Sequence, residues 1–79
     1  MTEREWLRLS RLAESQLTYW LDQAELAWFK GDAPQREWAR EHAAFYRTAR
    51  TKFRAQAEIA AGLEADLQKS RLAKGEENG

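Results

Sequence analysis

Lys30-Gly31-Asp32-Ala33-Pro34 constrains this chain more than any other stretch, because it ends one helix and begins another within a few residues. Lys30 places a cation where the last carbonyls of a helix leave partial negative charge. Gly31 can take the left-handed conformation that closes a helix without a Cβ penalty. Asp32 can accept bonds from the first free N–H groups of the next helix, and Gln35 stands where a capping box would reach back. Pro34 falls in the first turn, where a missing N–H costs nothing. A connection this short sends the second helix back along the first, as an antiparallel helical hairpin.

The residues on either side are helix formers. The chain has no valine and one isoleucine, Ile59, while alanine, leucine, arginine, glutamate and glutamine abound. Strand formers are thus nearly absent, and the expected class is all-α. Thr2-Glu3-Arg4-Glu5 fits a capping box that opens a first helix over about 3–30, with Met1 and Trp6 placed for a hydrophobic staple. After a turn at 31–32, a long second helix is expected over about 33–74, with Lys69, Arg71 and Lys74 near its end and Gly75 closing it. Residues 1–75 then form one small helical domain, and 76–79 a frayed tail. The alternative is a three-helix bundle with a break near Gly62. No Ser, Thr, Asp, Asn or Pro adjoins Gly62 to restart a helix.

Apolar spacing supplies the packing faces. In the first helix, Trp6, Leu9, Ala13, Leu17, Trp20, Ala24 and Ala27/Trp28 recur at steps of three and four. In the second, the main face reads Trp38, His42, Phe45, Ala49, Phe53, Gln56, Ala60, Leu63 and Leu67, broadened by Ala39, Tyr46 and Ala57. Folding at the turn pairs residues whose numbers sum to about 64, which brings Trp38 near Ala24 and Ala27, Phe53 near Ala13, and Trp6 near Ala57, Ala60 and Ala61. Two groups are left over. Leu12, Tyr19 and Leu26 repeat every seven residues on nearly the opposite side of the first helix, and Leu63, Leu67 and Leu72 overhang its start. A small chain with exposed backs, nine aromatic residues and no disulfide gains the burial it lacks most economically as a homodimer that forms a helical bundle.

No catalytic constellation is evident. There is no cysteine, no glycine-rich phosphate loop and a single histidine, His42, with no second histidine to complete a metal site. Ser10, Ser15 and Ser70 lack an activating base, and Glu14, Asp22 and Glu25 read as a solvated helix face. The expectation is a non-enzymatic protein with no cofactor and no metal. The charged start carries no secretory signal, and no stretch is long and apolar enough for a membrane, so the cytoplasm is the default compartment.

Two functional readings follow. The first is a protein–protein interaction module, a homodimer that binds, scaffolds or inhibits a larger protein through Leu12, Tyr19, Leu26, Leu63 and Leu67. Small helical proteins of this kind are often adaptors, assembly factors or inhibitors, including those of phages and mobile elements, an analogy of size and class that no motif establishes. The second reading is a nucleic-acid-binding helical dimer that uses Arg36, Arg40, Arg47, Arg50 and Arg54. Arg47 and Arg50 have no acidic residue three or four positions away. Thirteen basic and thirteen acidic residues balance over the whole chain, however, which ranks this reading second.

Overall fold

The computed structural model describes the backbone of residues 1–78 and the side chains of residues 1–72. Among these residues the chain is all-helical, with α1 spanning Glu3–Lys30 and α2 spanning Ala33–Asn78. Thr2 caps α1, its hydroxyl oxygen accepting from the Glu5 N–H at 3.3 Å. The Glu5 carboxylate accepts from that hydroxyl rather than from the Thr2 backbone, so only half of the expected capping box forms.

Gly31 adopts φ 70°, ψ 21°. Its N–H donates to the Trp28 carbonyl at 3.1 Å, and the Asp32 N–H donates to the Ala27 carbonyl at 3.0 Å. These are the paired bonds of a Schellman motif, which satisfy carbonyls that a helix end leaves open. Asp32 then starts α2. Its carboxylate accepts from the Gln35 N–H at 3.2 Å and its carbonyl from the Arg36 N–H at 3.0 Å. The Asp32 N–H is taken by Ala27 and not by the Gln35 side chain, so this capping box, like the first, forms only by half.

Contacts between the helices join the start of α1 to the middle of α2, and the later part of α1 to the start of α2. Trp6 lies 6.0 Å from Phe53, ring to ring, and Trp20 lies 4.9 Å from Trp38. The Glu3 N–H, one of the unpaired donors at the start of α1, is met by the Glu64 carboxylate at 3.1 Å. Beyond that bond α2 outruns α1. Residues 65–78 extend past the start of α1 by about 21 Å at 1.5 Å per residue. Helix α2 therefore sets the long dimension of a rod measuring 71 × 13 × 13 Å.

Helix α2 runs unbroken through Gly62, as the main reading expects, and the alternative three-helix bundle is not formed among the described residues. Two expectations about α2 are corrected. Gly75 does not end the helix, since α2 runs through Glu76 and Glu77 to Asn78. Glycine inside a helix costs about 1 kcal/mol against alanine, too little to stop one unless its neighbours cap the end and start another, as Asp32 and Pro34 do after Gly31. The Lys74 side chain and Gly79 lie outside the described residues.

The second correction concerns the packing face. The buried residues of α2 are Ala39, Ala43, Ala57 and Ala60, with Tyr46, Arg50 and Phe53 half-buried between them. Trp38 and Phe45, expected in the seam, are 45% and 66% exposed. Over residues 38–50 the seam is thus displaced by one position from the main face read in the sequence, toward Ala39 and Tyr46 on its broadened edge, while Phe53 and Ala60 belong to both. On α1 the matching row is Trp6, Ser10, Ala13, Leu17, Trp20, Ala24 and Ala27, all buried or half-buried. Both rows alternate steps of four and three, the spacing of helices that pack along a shared seam. Small side chains bring facing Cα atoms within 8 Å. Trp38 and Phe45 lie on a flank of this seam, where Trp38 meets Trp20 edge-on, while the half-buried rings of Trp6 and Phe53 meet across the seam itself. Among the described residues, Leu17 alone is both larger than serine and buried in this seam.

Candidate interaction surface

Each seam row has a neighbouring row on either side, one position earlier or later in sequence. A step of one residue turns about 100° around a helix, so these rows form the two flanks of the helix pair. The flanks differ sharply in charge. The earlier row runs from Glu5 to Leu26 on α1 and from Trp38 to Ile59 on α2, and 2 of its 14 positions, Glu5 and Lys52, are charged. The later row runs from Leu7 to Trp28 and from Arg40 to Ala61, and 7 of its 14 are charged.

The nearly uncharged flank holds most of the residues singled out from sequence, which therefore lie beside the seam and not nearly opposite it. Leu12, Tyr19 and Leu26 are 59%, 51% and 49% exposed, and Phe45 and Ile59 of α2 belong to the same flank. Leu63 continues this row beyond Ile59 and Leu67 lies beside it. Both are exposed and, with Met1 and Ala60, line a depression at the start of α1. At the middle of the flank, Trp20 bridges Tyr19 at 5.1 Å, Trp38 at 4.9 Å and His42 at 4.3 Å between ring centres. His42 Nδ1 lies 2.9 Å from the Trp38 carbonyl, which can only accept, so that nitrogen carries the proton. The Trp20 indole N–H, by contrast, is buried with no hydrogen-bond partner among the described residues. An unpaired buried donor in the middle of an apolar surface is costly and calls for an acceptor.

The opposite flank carries two ion pairs that share one carboxylate. Glu14 lies between Arg50 and Arg54, 3.6 Å from each. Arg50 therefore has an acidic partner, supplied across the helix pair rather than along its own helix, where spacing in sequence would place one. The Arg36 guanidinium lies over the Trp28 ring at 4.3 Å from its centre. Three of the five arginines of the basic stripe are thus engaged within the chain. Arg40 and Arg47 stand exposed on the same flank, and Arg40 helps to line an open concavity of about 660 Å³ beside the turn, together with Arg36, Glu37 and Glu41.

Sequence reading missed Ser10, Ala43 and Arg50 as members of the seam. The signal was the alternation of four and three itself, which includes polar positions that a search for apolar residues skips. Among the described residues no helix is long and apolar enough to cross a membrane, and no three His, Asp or Glu side chains gather as a metal site would. Comparison with protein-family models, with curated proteins and with solved structures finds no match for this chain.

Proposed function

We propose that the protein is a non-enzymatic helical interaction module, an antiparallel hairpin that self-associates and binds, scaffolds or inhibits a larger protein partner. The observation that carries this reading is the contrast between flanks. One side of the helix pair is rich in charge, while the other presents exposed Leu12, Tyr19, Leu26, Phe45 and Ile59 with almost no charge. Large apolar side chains exposed together on one nearly uncharged face favour a contact site over a solvated face. An alanine seam with a single leucine supplies little burial for a chain of this size, which adds a thermodynamic reason to cover that side.

The competing reading, an arginine stripe that tracks nucleic-acid phosphates, has less support. Arg50, Arg54 and Arg36 already hold Glu14 and Trp28, and each would have to exchange that contact for a phosphate.

Paired variants test the choice. Leu12→Glu with Leu26→Glu should leave helicity unchanged by circular dichroism yet abolish capture of protein from the native cell by the tagged chain. Arg40→Glu with Arg47→Glu should leave that capture intact. The reverse pattern, together with a salt-dependent shift of duplex DNA by the wild-type chain, would replace the protein-interaction reading with the nucleic-acid one.

A further inference from the structure

We propose that the uncharged flank is covered by a second copy of the chain, related by a two-fold axis that lies in the flank at right angles to the helices. This inference rests on the interaction-module reading and names the occupant of its surface. In such an arrangement each α1 lies antiparallel to its symmetry mate, and so does each α2, giving a four-helix bundle in which every helix has two neighbours.

The argument comes from self-complementarity. A two-fold interface requires that residue i meet residue j and that j meet i, so a row that takes part must match itself when reversed. The α1 row does. Read through to its last member, Lys30, it pairs positions whose numbers sum to 35. Glu5 falls opposite the partner's Lys30, Leu9 opposite the partner's Leu26, Leu12 opposite the partner's Gln23, and Gln16 opposite the partner's Tyr19. The two charges at the ends of the row are of opposite sign and equidistant from its centre. The same axis, carried across to α2, falls near residue 47, where it sets the exposed Phe45 ring against the partner's Ala49, large against small. Lys52 comes opposite the partner's His42, and its four-carbon stem lets the ammonium reach solvent. The partner's Gln16 also comes to the level of Trp20, whose buried indole N–H has no acceptor among the described residues of its own chain.

The opposite charged flank offers no such match. Alignment of the two-fold along the helices, the other way to pair the same flanks, places α1 against the partner's α2 and separates Glu5 from Lys30. The two arrangements also differ in length. The perpendicular axis sends residues 65–78 of each copy past the partner's turn, giving a dimer about 95 Å long at 1.5 Å per residue. The axis along the helices keeps the dimer near the 71 Å of one chain.

Charge exchange tests the proposal. The wild-type chain, Glu5→Lys, Lys30→Glu and an equimolar mixture of the two variants are compared by sedimentation equilibrium, with helicity checked by circular dichroism. The wild type should dimerise, and X-ray scattering should give it a maximum dimension of about 95 Å. Each single variant should dimerise on the order of tenfold more weakly, because two attractive pairs per dimer become repulsive. The mixture should recover the wild-type association. In a mixed dimer the cation introduced by Glu5→Lys meets the anion introduced by Lys30→Glu, and the two unaltered end charges also attract. Any cost that a substitution imposes on its own helix end persists in the mixture, so recovery isolates the pairing. A mixture no tighter than the single variants, or a dimer near 71 Å, overturns this arrangement. A wild type that stays monomeric overturns the second copy as occupant. If Leu12→Glu with Leu26→Glu then still abolishes capture of a cellular protein, the interaction-module reading survives; if capture is unaffected, both fall.

Discussion

Two glycines show that a residue's consequence depends on the backbone it occupies. Gly31 sits at φ 70°, where any side chain meets its own backbone, while Gly62 lies within α2 with no atom inside 4 Å of the place a Cβ would occupy. The same substitution therefore has opposite signs. Gly31→Ala should destabilise the chain by about 1 kcal/mol, the cost of a left-handed conformation without glycine. Gly62→Ala should stabilise it by about 0.5–1 kcal/mol through helix propensity and lost freedom of the unfolded chain. Urea unfolding of both variants beside the wild type checks the pair. The position of Gly31 as a stop was legible because Lys30, Asp32 and Pro34 agree with it. Gly62 and Gly75 have no such company, and the helix passes through both.

At the scale of the element, α2 is a helix with two candidate seams one position apart. Trp38, His42, Phe45 and Ala49 repeat with the same alternation as Ala39, Ala43, Tyr46 and Arg50. The row that begins Ala39 and Ala43 lies inside because α1 approaches closely there, and at those two positions the approach leaves no room for bulk. Ala43, 3% exposed, makes this quantitative. Ala43→Leu should cost about 1–3 kcal/mol by overpacking, despite being a gain in hydrophobicity at little cost in helix propensity. The adjacent Ala44 is exposed, so Ala44→Leu should change stability by less than about 0.5 kcal/mol. Thermal unfolding of the two variants separates the seam from its flank by one residue.

The whole molecule is a rod whose length comes from one helix and whose width comes from two. Its second helix outruns the first after Glu64, and side chains from Ala65 to Leu72 are all exposed. That stretch adds helix but no burial within the chain. Removal of residues 68–79 should change the stability of the isolated chain by less than about 1 kcal/mol, because short unpartnered helices are marginal in water. Urea unfolding measures that difference, and mean helicity by circular dichroism should fall with the lost segment. A large loss of stability would mean that the segment is packed in solution, against another copy or against its own body.

Residue types near the chain's turn determined much by themselves. The existence of two helices, the stop at Gly31 and the start at Asp32 all follow from local chemistry, since capping and left-handed backbone involve only neighbours in sequence. The surplus of Leu12, Tyr19 and Leu26 was equally visible, because one helical partner can cover only one stripe. Only tertiary structure decided which of two adjacent rows faces inward, and that Arg50 finds Glu14 across the pair. The physical reason is the same for both. Periodicity places rows around a helix to within a residue, about 100° of arc, and the choice inside that arc belongs to the distance between axes, which alanine sets.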